Sequence, residues 1–168
     1  MLWEYLKQHM LLHPDHRIED ETTCMTFSET IRKAEKTASL LTPGRYAIRC
    51  RSEMNTGIAV LGCLAKGVTA VPLSARYGEL HCERILQLTT PDFLLTDDDG
   101  DLQVHPLKTF ADGSSAYSAG ANSDAAEEQC ALILCTSGTT GIPKGAMITE
   151  ENLLANLADI DAYFDLRC

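Results

Sequence analysis

Apolar residues recur along this chain at two spacings, one typical of helices and one typical of strands. Ile31, Ala34, Ala38 and Leu41 are separated by three, four and three residues, which predicts the buried face of a helix. Residues 68–73 form a continuous apolar run instead, which predicts a parallel strand covered on both faces. Helices are predicted at residues 2–12, from Thr26 to the Pro43-Gly44 pair, at 53–66, at 79–88 and after Thr149, and strands at 46–50, 68–73, 93–96, 131–134 and 145–148.

The alternation of strands and helices predicts an α/β fold, with a layered, mostly parallel sheet and flanking helices. Residues 1–110 are interpreted as the first α/β segment. Residues 111–129 are rich in Ser, Ala, Gly, Asp and Glu without periodicity, so they are predicted to be a flexible connection. Residues 130–168 are expected to form a hairpin and a following helix that belong to the same domain.

Short motifs predict how several of these elements begin and end. Thr26 and Glu29 are spaced as a capping box, in which each side chain accepts a backbone N–H of the other residue. Gly67 follows a predicted helix at the position that favours a left-handed backbone. Residues 17–27 predict a hairpin that turns near Asp20. In the last helix, an inward face is expected at Leu153, Leu157, Ile160 and Phe164.

Two polar clusters resemble metal sites but favour other interpretations. Residues 97–101 are rich in Asp, yet the Gly and terminal Glu positions of a calcium loop are occupied by Leu102 and Lys108. They are therefore predicted to be a solvated hairpin turn. The three histidines of residues 9–16 are interrupted by Pro14 and lack a further ligand. No metal site built by the protein is predicted.

Composition and charge narrow the classes of partner. The chain has 168 residues, of which 45% are hydrophobic, and a formal charge of -10. An acidic surface argues against nucleic acid and against an anionic membrane surface as partners. The seven cysteines are odd in number and lack Cys-x-x-Cys spacing, which favours free thiols. No apolar run has the length of a membrane span, and Glu4 and Lys7 argue against a signal peptide, so a cytoplasmic location is expected.

The candidate chemistry lies in residues 135–145, which read Cys-Thr-Ser-Gly-Thr-Thr-Gly-Ile-Pro-Lys-Gly. Glycines permit close backbone approach, hydroxyls donate hydrogen bonds and a lysine supplies a cation, which is what a polyphosphate-binding loop requires. Without further information, a glycine-rich hairpin turn is the alternative interpretation. The candidate phosphate-binding residues are Thr136, Ser137, Gly138, Thr139, Thr140, Gly141 and Lys144.

The common phosphate loops are excluded by spacing. A P-loop has a second glycine five residues after its first, followed by lysine. Counted from Gly138, that glycine position is occupied by Pro143. A dinucleotide-binding fingerprint opens a helix, whereas the residues after Gly145 predict a strand.

Residues 136–145, called the signature loop here, closely resemble the signature loop of the AMP-forming adenylating enzymes. These comprise the acyl-CoA synthetases, the adenylation domains of peptide synthetases and the luciferases. Residues 26–29, 64–73 and 148–153 also resemble motifs of this family, in the same order. The departures are Glu150, where the family often has His, and Ala75 and Gly78, where it usually has prolines. The chain is also several times shorter than family members.

The resemblance implies an ATP- and Mg²⁺-dependent reaction with a carboxylic acid. The carboxylate attacks the α-phosphate, pyrophosphate leaves, and a thiol of coenzyme A or of a phosphopantetheine carrier protein then takes the acyl group. The signature loop would hold the β- and γ-phosphates. The family's acid pocket, adenine platform, ribose-binding acid and catalytic lysine all lie downstream of these residues.

Three functional hypotheses follow. The first is an N-terminal portion of such a ligase, inactive alone and forming an incomplete subdomain. The second is a natural split subunit completed by another chain, and the third is a small nucleotide-binding module without ligase chemistry. We favour the first, and we expect uncovered sheet edges and apolar helix faces to promote self-association.

Overall fold

The described part of the protein is built around a six-stranded sheet. The computed structural model describes residues 1–107, 130–137 and 143–164. The helices within this part are α1 (Leu2–Leu12), α2 (Phe27–Leu40), α3 (Glu53–Lys66), α4 (Glu79–Thr89) and α5 (Glu150–Phe164). The strands within it are β1 (Arg17–Glu19), β2 (Cys24–Thr26), β3 (Arg45–Ile48), β4 (Thr69–Pro72), β5 (Phe93–Thr96), β6 (Gln103–Pro106), β7 (Cys130–Ser137) and β8 (Pro143–Thr149).

The strand order of the large sheet is β6-β5-β3-β4-β7-β8. Among the described strands, β1 and β2 pair with each other in a small separate sheet. β3 is parallel to β4 and to β5, and β4 is parallel to β7. The two outer strands, β6 and β8, run antiparallel to their neighbours. The predicted α/β fold with a mostly parallel sheet is confirmed. The predicted connection at residues 111–129 lies outside the described residues.

Helices cover both faces of the sheet. Tyr46 and Ile48 of β3 pack with Cys63 of α3 in one buried cluster. Ala47, which lies between them, packs in a second cluster with Ile85 of α4. Successive residues of a strand point to opposite faces, so α3 and α4 lie on opposite sides of the sheet. Simple alternation of buried and exposed positions in this strand, as expected for residues 46–50, is therefore wrong at Ala47, which is fully buried.

The helices on the α3 side pack on one another through a third cluster. It includes Leu2 and Trp3 of α1 and Ala34 of α2, with Leu153 and Leu157 of α5 packed against it. The predicted inward face of α5 is thus confirmed at Leu153 and Leu157. Ile160 departs from that face and is 37% exposed, and the side chain of Phe164 lies outside the described residues.

The buried face of α2 also differs from the prediction at one position. Thr37 is buried, whereas the expected Ala38 is only half-buried. The hydroxyl of Thr37 donates to the carbonyl oxygen of Lys33 at 2.9 Å, which satisfies its polar group inside the helix pair.

The predicted helix caps are present. Thr26 and Glu29 form the reciprocal capping box of α2. Gly67 has φ 74° and ψ 38° after α3, the left-handed conformation that glycine adopts without steric cost. Thr149 and Asn152 exchange hydrogen bonds at the start of α5. These contacts fix the helix boundaries locally.

Two further sequence inferences can be compared with the described part of the chain. No disulfide joins its cysteines, which are Cys24, Cys50, Cys63, Cys82, Cys130 and Cys135. Within the same residues, no helix is both long enough and apolar enough to cross a bilayer.

Candidate functional site

A cleft opens at the carboxyl ends of β3, β4 and β7. The chain leaves β3 toward α3 on one face and leaves β4 toward α4 on the other, so the two loops diverge and leave a crevice between adjacent strands. Ligands of open parallel sheets bind at such a switch point. The cleft has a volume of about 550 Å³. Its lining residues are Asp20, Glu21, Thr22, Cys50, Arg51, Ser52, Glu53, Thr56, Pro72, Leu73, Ser74, Ala75, Arg76, Tyr77, Leu134 and Cys135.

The signature loop begins at the same edge of the sheet, directly after the last lining residue. β7 and β8 form an antiparallel pair in which Thr136 lies opposite Lys144 and Ser137 opposite Pro143. Thr136 and Lys144 are both exposed. The hairpin therefore brings the first hydroxyl residue and the lysine of the predicted site together. The other predicted residues, Gly138, Thr139, Thr140 and Gly141, lie outside the described residues, as does the side chain of Ser137.

The carboxyl end of β7 is more exposed to solvent than the sequence predicts. Residues 131–134 were expected to form a buried strand, but Leu134 is 42% exposed. The reason is its position, since it lines the cleft together with Cys135. Ala131 and Ile133, further from the cleft, are buried as predicted.

Gly145 allows β8 to pack closely against the side chains of Ile133 and Leu88. A Cβ atom at this position would lie 3.2 Å from Cγ2 of Ile133 and 3.8 Å from Cδ2 of Leu88. The first distance is tighter than an ordinary carbon contact. The glycine next to Lys144 thus has a packing role, in addition to any role in approaching a ligand.

Asp97 holds the wall of the cleft formed by the start of α3. Its carboxylate accepts hydrogen bonds from the backbone N–H groups of Arg51 at 2.7 Å and Ser52 at 2.9 Å, and from the Asn55 amide at 3.1 Å. Burial alone would raise the pKa of Asp97, but these donors outweigh it and the pKa is lowered. The prediction that residues 97–101 form a solvated turn is wrong for Asp97, which is 8% exposed. The hairpin itself is present, because β5 and β6 pair around this turn.

Asp20 supports the same wall from the β1–β2 hairpin. Hydrogen bonds from the backbone N–H groups of Thr22, Met54 and Thr23, and from the Thr22 hydroxyl, lower its pKa to about 2. The bond from Met54 spans 3.1 Å and joins the hairpin to the first turn of α3. Sequence reasoning found the turn at Asp20 but missed this long-range contact, because nothing in the local pattern identifies its donor.

The thiols that line the cleft are poor nucleophiles. Burial, and next the nearby charge of Asp97, raise the pKa of Cys50 to about 12. Burial also raises the pKa of Cys135. Because the thiolate is the reactive form, neither group is suited to covalent catalysis near neutral pH. The polar and cationic groups at this edge favour noncovalent binding instead.

Comparison with known proteins identifies the family to which this chain belongs. The sequence matches the family described as AMP-binding enzyme over residues 6–167. The chain therefore belongs to this family, and the resemblance of the signature loop is confirmed at the level of the family. Its curated relatives include peptide synthetases and an acyl-CoA ligase.

Two curated relatives illustrate the kinds of protein to which the chain is similar. The hybrid PKS-NRPS synthetase poxE of Penicillium oxalicum is 30% identical over 154 residues, covering 83% of this chain and 4% of that protein. The sulfoacetate–CoA ligase of Cupriavidus necator is 33% identical over 119 residues, covering 60% of this chain and 23% of the ligase. The chain thus spans a small part of the curated relatives that it matches.

Solved structures share the fold. The fatty acid AMP ligase of Legionella pneumophila superposes with a TM-score of 0.71 at 21% identity, covering 99% of this chain and 33% of that one. The O-succinylbenzoate coenzyme A synthetase of Bacillus subtilis, in complex with AMP, gives a TM-score of 0.66 at 22% identity, covering 98% of this chain and 46% of the synthetase. The fold is that of adenylate-forming ligases, of which this chain matches the N-terminal portion.

Proposed function

We propose that this chain provides the N-terminal, polyphosphate-binding part of an ATP-dependent, AMP-forming ligase that activates a carboxylic acid. The full reaction joins the acid to AMP with release of pyrophosphate, and then passes the acyl group to the thiol of coenzyme A or of a phosphopantetheine carrier protein. Family membership and the position of the signature loop at the carboxyl edge of the sheet support the proposal.

The observation that carries it is the pairing of Thr136 with Lys144 across the β7–β8 hairpin. Negative charge develops on the leaving pyrophosphate, and fixed donors directed at developing charge are an effective catalytic device. An exposed ammonium and a hydroxyl at the base of one loop are suited to the β- and γ-phosphates. In this role Lys144 acts as a point charge and Thr136 as a hydrogen-bond donor.

Mg²⁺ fits this site as a companion of the nucleotide. No group of three or more His, Cys, Asp or Glu residues is arranged to hold a metal ion in the part of the chain that the structure describes. Mg²⁺ in phosphate chemistry usually takes substrate phosphates and water as ligands, with few protein carboxylates. When bound, the ion would neutralise part of the phosphate charge.

We further propose that the isolated 168-residue chain does not catalyse the reaction. A phosphate loop holds one end of ATP but does not position a carboxylate for attack at the α-phosphate. The residues that the family uses for the acid and the adenosine follow the signature loop by resemblance. They would have to come from further sequence or from another chain.

Carboxylate-dependent exchange of pyrophosphate into ATP tests both statements. The native protein that carries this sequence, supplied with a panel of carboxylic acids, is expected to exchange with at least one of them. The isolated chain is expected to show no acid-dependent exchange. Strong exchange by the isolated chain would contradict its proposed dependence on other residues, and absence of exchange by the native protein with every acid would contradict the ligase proposal.

A split subunit is the second candidate. α5 begins with the Thr149–Asn152 cap and packs through Leu153 and Leu157, so the described part presents a formed helix–sheet unit to which a complementing chain could bind. Adding a separate chain that carries the later family motifs would restore exchange if this candidate is correct. A mixture that stays inactive, together with an active single-chain native protein, would exclude it.

A further inference from the structure

A groove, called the hairpin groove here, lies between the β1–β2 hairpin and one face of α3. Its volume is about 230 Å³. The apolar part of its lining comes from Ile18 of β1 and from Met54, Ile58 and Leu61 of α3. Met54 and Ile58 are buried in one cluster with Met25 of β2, so packing fixes the floor of the groove. Ile18 is 37% exposed and leaves apolar surface at its side.

Gly57 opens the middle of the hairpin groove. It is an exposed residue in the interior of α3, where glycine is less favourable than alanine. Its φ is not in the positive range that favours glycine, and a Cβ atom at this position would meet no atom within 4 Å. Neither the backbone conformation nor the packing of the described residues therefore requires a glycine here. Glycine also permits close approach to a helix, so this position is suited to contact with a second molecule.

The rim of the hairpin groove is acidic. Glu19 ends β1, Glu53 begins α3, and both are exposed. In the described part of the chain, their carboxylates take part in no ion pair or hydrogen bond. Asp20 adds a third carboxylate, and its hydrogen bonds lower its pKa to about 2, so it is charged at neutral pH. No lysine or arginine is among the described residues that line the groove. A ligand is therefore expected to carry cationic groups beside an apolar part.

The size and charge of the hairpin groove indicate what occupies it. Small-molecule sites usually have volumes of at least about 300 Å³, whereas about 230 Å³ suits one large side chain. An apolar side chain in a central pocket, with polar groups around it, is the usual arrangement of a protein interface. A second copy of this chain is disfavoured, because its formal charge is also -10 and like charges repel across an interface.

We propose that the hairpin groove is a docking site for a basic partner protein. The partner inserts one large apolar side chain over Gly57 and places lysine or arginine side chains beside Glu19 and Glu53. The acidic net charge of the chain would also speed the encounter with such a partner. The groove adjoins the cleft, since Asp20 and Glu53 line both. Gly57 and Glu19 line the groove alone, so variants at these two positions test docking without altering the cleft.

Fluorescence anisotropy of labelled peptides added to the native protein tests the proposal. The probe has the sequence Lys-Lys-Trp-Lys-Lys. Of two companion peptides, Lys-Lys-Ala-Lys-Lys lacks the apolar side chain and Glu-Glu-Trp-Glu-Glu reverses the charge. The probe is expected to bind at least about tenfold more tightly than either companion, and its affinity should fall as salt is added. Equal binding of the probe and the alanine peptide would overturn the proposal, because it would show attraction to the acidic surface alone.

Variants of the protein locate the bound probe. Gly57→Leu fills the groove and is expected to weaken binding about tenfold without lowering the temperature of thermal unfolding. Gly78→Leu places the same side chain at another exposed glycine with free space, outside the groove, and should leave affinity unchanged. Glu19→Gln is expected to weaken binding about threefold. Glu83→Gln removes an exposed carboxylate of α4, on the other side of the sheet, and should have a smaller effect. Unchanged affinity of Gly57→Leu would overturn the proposal.

Two other occupants of the groove give distinct results, and either result would overturn the proposal. If a second copy covers the groove, light scattering shows a dimer of the native protein that Gly57→Leu dissociates, and the probe does not bind. If further sequence of the native protein covers it, the probe does not bind and Gly57→Leu unfolds at a lower temperature than Gly78→Leu. Probe binding that depends on both Gly57 and Glu19 is the result expected for a basic partner.

Discussion

The carboxylate of Glu150 accepts a hydrogen bond of 2.9 Å from the backbone N–H of Leu2, a residue 148 positions earlier in the chain. Leu2 begins α1 and Glu150 begins α5, so this contact joins the N-termini of two helices. The backbone N–H groups of a first helical turn have no partner within their own helix, and a carboxylate satisfies one of them favourably. Glu150, which stands where the family often has His, therefore has a structural role in this chain.

Replacing Glu150 should loosen α1. Glu150→Ala removes the acceptor and is expected to lower the free energy of unfolding by about 1–2 kcal/mol. Urea unfolding gives the free energy, and hydrogen exchange of the α1 amides shows where protection is lost.

Glu151→Ala is the matched control, since Glu151 is also in the first turn of α5 but is exposed. It shares the helix-dipole contribution and lacks the bond to Leu2. Equal effects of the two variants on α1 would show that the Glu150–Leu2 contact does not hold the helix.

The contact between α2 and α3 depends on Gly62. A Cβ atom there would lie 2.6 Å from Cγ2 of Thr37, a distance that requires one helix to move. Gly62→Ala is expected to destabilise the fold by about 1–3 kcal/mol through overpacking.

Gly57 in the same helix provides the opposite expectation. A Cβ atom at Gly57 meets no atom within 4 Å, so Gly57→Ala should stabilise the helix by about 0.4–1 kcal/mol. Thermal unfolding of both variants checks the pair. A stabilising Gly62→Ala would contradict the described packing of α2 on α3.

Stability should decrease in acid because of the two aspartates that hold the start of α3. The pKa of Asp20 is lowered from 3.8 to about 2, and that of Asp97 is also lowered from 3.8. A carboxyl group with a lower pKa in the folded state stabilises the fold above its unfolded pKa, and this contribution is lost as pH falls through the folded value.

For Asp20 the loss should fall between pH 3.8 and about 2. Asp97→Asn should be less stable than the wild type at neutral pH, and its stability should decrease less between pH 5 and the acid limit. Urea unfolding across this pH range is the measurement. A variant with the same pH slope as the wild type would show that Asp97 does not contribute to acid sensitivity.

The sequence was sufficient for features with a local cause. The capping box of Thr26, the left-handed Gly67 and the apolar run in β4 each depend on neighbouring residues, and each appears in the fold as predicted. The signature loop identified the family because its residue types and spacing are rare outside it.

Features that depend on residues distant in the sequence could not be predicted from local patterns. The burial of Asp97 follows from donors on Arg51 and Ser52, which are more than 40 positions earlier. The exposure of Leu134 follows from the cleft, which exists only after β3, β4 and β7 are assembled. A local pattern contains neither relationship, so Asp97 was interpreted as solvated and Leu134 as buried.

The most direct test of the account is acid-dependent ATP–pyrophosphate exchange by the native protein carrying Lys144→Ala. Removing one fixed donor to developing phosphate charge is expected to reduce exchange by about 10²–10³-fold. Lys33→Gln, which removes an exposed lysine of α2 away from the hairpin, should retain wild-type exchange. Undiminished exchange by a folded Lys144→Ala protein would contradict the claim that this hairpin holds the ATP phosphates.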